Sequence, residues 1–383
     1  VSEPPARRRL GPALLAVGWL VLLLPPFYLS AFWLQTGLFA MAAVIAAIGL
    51  NLLVGTAGQL SLGHAFFLAV GAYGYTWLAG SPAADEGLSG LRLPPAVAFV
   101  AAVLLTGVAG ALFSPVSGRL RAMYLGVATL ALVFVGQHIL LNATSVTGGF
   151  NGRSVPPLTV FGFVFGDTDD GLTVFDVPFG GLERLWYLGL LLVAVASLLA
   201  RNLLRGRPGR ALGALRDSET AAAVMGVHPA RYRAAAFTVS SMYAGAAGAL
   251  LALVFQRIVP DYFSLGLSMS FLAMVVIGGL GSVGGAAAGA VFVTVLPQLL
   301  GHFADRIPLV VAPGSTGTGL DASDAADFLY GAALVLTLVF APDGLAGLLR
   351  RLRLPRPRLR AATPQTSAVG EPAVGDTLKE QTL

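Results

Sequence analysis

The sequence predicts an all-α, polytopic membrane protein of about ten transmembrane helices with broken, glycine-rich segments, and three observations carry that prediction. First, 56% of the 383 residues are hydrophobic and 11% charged, and the mean hydropathy is +0.79, too apolar for a water-soluble domain of this length. Second, the apolar runs are continuous and about 16 to 22 residues long, enough to cross a hydrocarbon core as helices; a β-barrel would show short segments of alternating polarity. Third, charge is segregated. With spans at 10–30, 34–54, 62–79, 95–113, 123–141, 185–200, 234–255, 264–280, 284–303 and 327–342, the side bearing Arg7 to Arg9 collects 19 of the 24 basic residues. The opposite side collects 12 of the 19 acidic ones. Positive loops stay in the cytosol, so both termini are expected there.

Taken in order, residues 1–9 form a cytosolic N-terminus. Arg7, Arg8 and Arg9 precede an apolar run like that of a signal peptide. The run is long and lacks a small-x-small cleavage site, so it reads as a retained first span, loosened near its outer end by Pro25 and Pro26. The second and third spans are separated by GTAGQLSLG, residues 55–63. Two readings stand, a tight cytosolic turn and a partly buried break in a helix; the second is favoured because the stretch is a poor loop for water. Non-helical backbone survives at membrane depth only where protein or a water-filled path satisfies it.

Loop 80–94 is acidic and external. The fifth span carries Thr129, Gln137 and His138 and opens the one sizeable external segment, 142–184. Alternating residues from Val160 to Phe165, with turn signals, predict a hairpin or short lid too small for its own core. Asp167, Asp169, Asp170, Asp176 and Glu183 outnumber Arg153 and Arg184 there, which predicts a negative docking face.

The cytosolic segment 201–233 contains GRALGALRDSETAAAVMG, residues 209–226. Asp217 as N-cap, Glu219 in the first turn and Gly226 as a left-handed C-terminal residue predict a helix of about two turns. Glu219, Ala222, Ala223 and Gly226 then share a face of small side chains that another protein could approach closely; an ordinary loop helix explains the pattern as well. The seventh span is rich in small residues, Ala244 to Ala249, and predicts close helix packing. The eighth run ends in VVIGGLGSVGGAAAGAV, residues 275–291, read as close packing or as a second irregular element lining a path. The tail 349–383 is basic to Arg360, then rich in Pro, Thr, Ala and Gly, and is expected to be disordered.

Several function classes are excluded. The chain has no Cys, and its four His (His64, His138, His228, His302) make no metal-ligand spacing, so neither a metal nor a cofactor is expected. No GxxxxGK[ST] motif occurs, so the chain is expected to be neither an ATPase nor another enzyme. No basic domain interleaved with aromatics points to nucleic acid. Nor does any span hold Asp, Glu, Lys or Arg away from its ends, where ion-coupled carriers place such groups. An energy source in another subunit is the more economical reading.

The ordered motifs LNLLVGTAGQLSLGHAFFLAVGAY (50–73), RLRAMYLGVATLAL (119–132), TSVTGGFNG (144–152), GRALGALRDSETAAAVMGV (209–227), MVVIGGLGSVGGAAAGAV (274–291) and YGAALVLTLVFAPDGLAGL (330–348) resemble the larger membrane permease of branched-chain amino acid ABC importers. The resemblance covers about residues 40–350 and implies an ABC importer permease domain over 10–348, in an inner membrane. It implies as partners a second related permease, two cytosolic ATP-binding subunits, which hydrolyse the ATP, and an extracytoplasmic substrate-binding protein, besides membrane lipid.

It also likens 209–226 to the coupling helix, with Glu219, Ala222 and Gly226 on the family's acidic-Ala-Ala-x-x-x-Gly core and Arg210, Arg216 and Asp217 beside it. Thr220 stands where the family commonly has an apolar residue. The path for a small zwitterion is expected along Asn51, Gly58, Gln59, Ser61, His64 and Thr129, facing Gly278, Gly279, Gly281 and Ser282. The alternatives are a urea or short-chain amide importer permease and, from another class, a stand-alone channel or secondary carrier.

Overall fold

Long apolar runs fold as helices because, in hydrocarbon, backbone N–H and C=O groups must bond within their own segment. A computed structural model describes residues 18–83, 87–120, 122–160, 162–166, 173–174, 177–178, 180–304, 310–311, 320–340 and 344–347. Its main helices are α1 (Ala31–Asn51, continued by a π-helical turn, Leu52–Thr56), α2 (His64–Ala79), α3 (Pro95–Arg119), α4 (Ala122–Asn142) and α5 (Gly181–Arg205). They are followed by α6 (Arg207–Asp217), α7 (Glu219–Val224), α8 (Pro229–Phe255), α9 (Leu265–Gly278), α10 (Val283–His302) and α11 (Ala322–Phe340).

Among the described residues, six helices, α1, α3, α4, α5, α8 and α10, are long and apolar enough to cross a membrane. The protein is therefore a multi-pass membrane protein. Gly18–Tyr28 and α9 are apolar but shorter. With 16 residues, α2 spans about 24 Å at 1.5 Å per residue, less than a hydrocarbon core of about 30 Å.

Two helices form the hub. The apolar windows of α1 and α8 are 83% and 78% buried, whereas those of α3, α4, α5 and α10 are 22% to 33% buried and form the periphery. The small residues of α8 serve the close packing that the sequence predicts. A Cβ on Gly248 would stand 2.0 Å from Leu68 O of α2, and one on Gly71 of α2 would stand 2.3 Å from Gly245 O. Only backbones without side chains approach so closely.

Helix α3 runs through Pro115 to Arg119, beyond the expected end at 113. A proline leaves the carbonyl four residues earlier unbonded. That carbonyl, Ala111 O, accepts from Ser114 Oγ at 2.7 Å, so the helix continues. Helix α5 likewise overruns the expected 185–200 at both ends.

Within residues 142–184, β2 (Leu158–Val160) and β3 (Phe163–Phe165) form the expected antiparallel hairpin, and β1 (Arg153–Ser154) pairs with β4 (Arg257–Ile258) after α8. Arg153 and Arg184 are buried and donate to Val146 O (3.0 Å) and Val164 O (3.2 Å). The acids Asp167, Asp169, Asp170 and Asp176, the first span before Gly18 and the C-terminal tail lie outside the described residues.

Candidate functional site

The two glycine-rich breaks come together. Helix α1 loosens into its π turn, runs as coil through residues 57–63 and restarts as α2 at His64. The coil buries alternate residues in protein, with Gln59 and Ser61 4% and 2% exposed, while Gly58 between Ala57 and Gln59 is exposed. On the other side, α9 stops at Gly278 and α10 restarts at Val283 with Ser282 as N-cap, its hydroxyl accepting from Gly285 N at 3.2 Å. The Asn51 side chain joins the two, its Nδ2 donating to Ser282 O (3.0 Å) and its Oδ1 accepting from Gly281 N (2.9 Å). Gly55 is required by this approach, since a Cβ there would stand 2.2 Å from Asn51 Oδ1 and 2.4 Å from Gly281 N.

The start of α2 shows why some expected path residues are engaged in the packing instead. The first amides of a helix lack partners within it, and Gly63 has no side chain to cap them. Thr129 of α4 accepts from Leu62 N at 2.9 Å while donating to Gly126 O, and Ser268 of α9 accepts from Ala65 N at 3.0 Å. His64 bonds through Nε2 to Ala46 O at 3.0 Å and meets Phe271 edge-on, with centroids 5.5 Å apart. Gln59 differs. Both ends of its buried amide lack a hydrogen-bond partner among the described residues.

Residues 207–224 fold as two short helices, α6 and α7. Asp217, expected as N-cap, is instead the last residue of α6, and Ser218 caps α7 with its hydroxyl accepting from Ala221 N at 3.3 Å. Both residues are good caps, and one position decides between them because Ser218 has the extended backbone (φ −158°) that the role requires. The C-terminal expectation holds. Gly226 has φ +83°, Val227 N bonds to Ala222 O and Gly226 N to Ala223 O, both at 3.0 Å, which is a Schellman motif.

The small face expected to meet a partner is oriented differently from the expectation. Ala222 is 2% exposed within the chain itself, and Glu219 is held by Arg233 through two bonds of 3.1 and 2.8 Å. What projects outward is the apolar tip, Val224 and Met225, 88% and 82% exposed. Arg210 donates to Arg205 O (3.2 Å), while Arg216 reaches away from α7 and donates from Nη1 to Gly55 O in the π turn.

A cavity of about 390 Å³ opens among α1, α8, α9, α10 and α11, lined by no residue of α6 or α7. Its walls are mainly apolar (Phe39, Phe255, Phe263, Phe271, Met274), with Asp327, Gln298 and Tyr330 supplying polar groups. The sequence reading missed it, because these residues sit on separate helices with no shared spacing; Asp327, an acid at the start of an apolar run, was the one available signal.

The sequence profile of a family described as branched-chain amino acid transport system / permease component matches residues 33–338. The chain belongs to that family. It is 32% identical to the high-affinity branched-chain amino acid transport system permease protein LivM of Salmonella typhimurium, over 94% of this chain and 77% of that protein. The probable branched-chain amino acid transport permease protein LivM of Methanocaldococcus jannaschii is 24% identical over 79% of this chain and 89% of its own length. LivH of Escherichia coli, a high-affinity branched-chain amino acid transport system permease protein, is 23% identical over 79% and 90% respectively. No solved structure matches the chain. In this branched-chain permease family member, both glycine-rich breaks and the α6–α7 pair fall inside the matched region.

Proposed function

We propose that this chain is the permease subunit of an ATP-driven importer and forms, with a second related permease, the translocation path for branched-chain or other small apolar amino acids. The observation that carries the reading is the match to the permease family over most of the chain, together with similarity to both LivM and LivH proteins. Two cytosolic ATP-binding subunits supply hydrolysis, and an extracytoplasmic binding protein delivers substrate; the chain itself catalyses no reaction. The segregation of basic residues supports ten crossings of the inner membrane with both termini in the cytosol.

In this reading α7 seats in the ATPase through its exposed tip, Val224 and Met225, while Glu219 and Ala222 hold the tip to the rest of the chain. Small substrates pass the joined breaks near Asn51 and Gln59, where glycines and amide groups replace water for a zwitterion. The test is reconstitution of the five-component complex in proteoliposomes. Leucine is expected to accumulate only with ATP and binding protein. Accumulation of urea and not leucine would favour the amide-importer alternative, and leucine flux without ATP would mean a channel or carrier.

A further inference from the structure

Arg216 closes the last turn of α6, yet its guanidinium is bonded to Gly55 O, 161 residues away in sequence. That carbonyl belongs to the π turn that ends α1, where backbone acceptors run out of intrahelical donors and the helix end favours a cation. The stem of the same side chain lies along the coil, since a Cβ on Gly58 would stand 3.3 Å from Arg216 Cγ. Gly55 in turn lies against Asn51 and Gly281, the contact that joins the two breaks. One side chain of the cytosolic segment thus reaches the point where both breaks are fastened.

We propose that Arg216 is a positioning residue that latches the α6–α7 pair to the π turn and keeps coil 57–63 closed over Gln59 and Ser61. Displacing the pair from the cytosol withdraws the guanidinium from Gly55 O and lets the coil open. Two features suit a latch better than a static cap. The bond is a single contact to one carbonyl, so it can part without unfolding either helix. Beneath it, the unbonded amide of Gln59 favours the open coil, because a buried polar group without a partner gains hydrogen bonds when water or substrate reaches it. The proposal rests on the importer reading only for what displaces the pair.

The chain has no Cys, so single reporters can be introduced into the otherwise unaltered sequence. Ser61→Cys reports the coil, and Ala244→Cys, at a fully buried position on α8, reports the general fold. Both are read in the purified full-length chain in nanodiscs, and again in the assembled complex without nucleotide, as the rate of modification by a small methanethiosulfonate. Arg216→Met is expected to speed modification at Ser61→Cys at least tenfold and leave Ala244→Cys protected. Arg216→Lys, which keeps one donor and the charge, is expected to restore most of the protection, with Arg216→Gln between the two. In the same variants ATP hydrolysis should persist while uptake per ATP falls in the same order.

Unchanged modification at Ser61→Cys in Arg216→Met would overturn the proposal. So would parallel rises at both reporters in every variant, which would make Arg216 a general stabiliser. The two readings fail separately. Without a latch, the unmodified complex still takes up leucine with ATP; without an importer, the contrast between the reporters still holds.

Discussion

Gly226 offers a substitution pair that separates the cost of a helix end from the cost of seating a partner. Its φ of +83° is one an L-residue adopts at about 1 to 2 kcal/mol, and the lower unfolded-state entropy of alanine returns about 0.4 to 1 kcal/mol, so Gly226→Ala should cost about 1 kcal/mol. Among the described residues, no atom beyond its two chain neighbours lies within 4 Å of where its Cβ would be, so Gly226→Arg adds no clash and should destabilise the isolated permease equally. In the complex the two diverge, because Gly226 adjoins the exposed Val224 and Met225 at the proposed seat. An overpacked seat costs about 1 to 3 kcal/mol, or roughly 5- to 150-fold in Kd. Thermal unfolding in nanodiscs checks the first equality, and titration with the ATPase subunits checks the divergence. Equal ATPase affinity for both variants would mean that the tip is no seat. A larger stability loss for arginine would mean that the space around Gly226 is not open.

The remaining substitutions address the cap and the breaks. Ser218→Ala should lose about 0.5 to 2 kcal/mol from α7, seen as faster hydrogen exchange at the Ala221 amide, whereas Asp217→Ala should stay within about 0.5 kcal/mol; the reverse order would reinstate Asp217 as the cap. Gly55→Ala, whose Cβ would meet Asn51 Oδ1 at 2.2 Å, should cost at least about 1 to 3 kcal/mol in thermal unfolding. Gly213→Ala, in α6 with open space around it, should stabilise by about 0.5 to 1 kcal/mol, and similar effects at the two sites would argue against the close approach at Gly55. Breaking the half-exposed Glu219–Arg233 pair should cost about 0 to 1 kcal/mol in a double-mutant cycle, less than the loss at Gly55.

What was legible in the sequence follows the range of the interaction that decides it. The bilayer forces apolar runs into helices, so the long helices can be read from residue type alone. Gly226 was legible because its left-handed geometry closes bonds that reach only three and five residues back. Ser218 was missed by one position because two capping residues stand side by side, and the choice depends on α6 ending at Asp217. The glycines of both breaks were visible, but their partnership was not: Asn51 and Gly281 are 230 residues apart, and an asparagine inside an apolar helix carries no mark of its partner. For the same reason Thr129 and His64 looked like groups awaiting a substrate, when the fold uses them to bond Leu62 N and Ala46 O.

Those long-range bonds also locate the part of the break that can move. An unbonded backbone group in hydrocarbon costs several kcal/mol, so the coil between α1 and α2 persists only because other helices supply its partners. The α1 end is tied by its own Asn51, which bonds Gly281 and Ser282, and by Arg216 of α6, which holds Gly55 O. On the α2 side the partners are Thr129 and Ser268, one from α4 and one from α9. Shearing either end would break bonds to at least two other elements at once. Between them, from Gly58 to Ser61, the bonds among the described residues are local ones, Gln59 N to Leu53 O and Gly63 N to Ser61 Oγ, and the Gln59 side-chain amide has no partner among those residues. A displacement arriving through Arg216 therefore meets least resistance in those four residues, and it is their backbone, rather than the flanking helices, that should change conformation when the path opens.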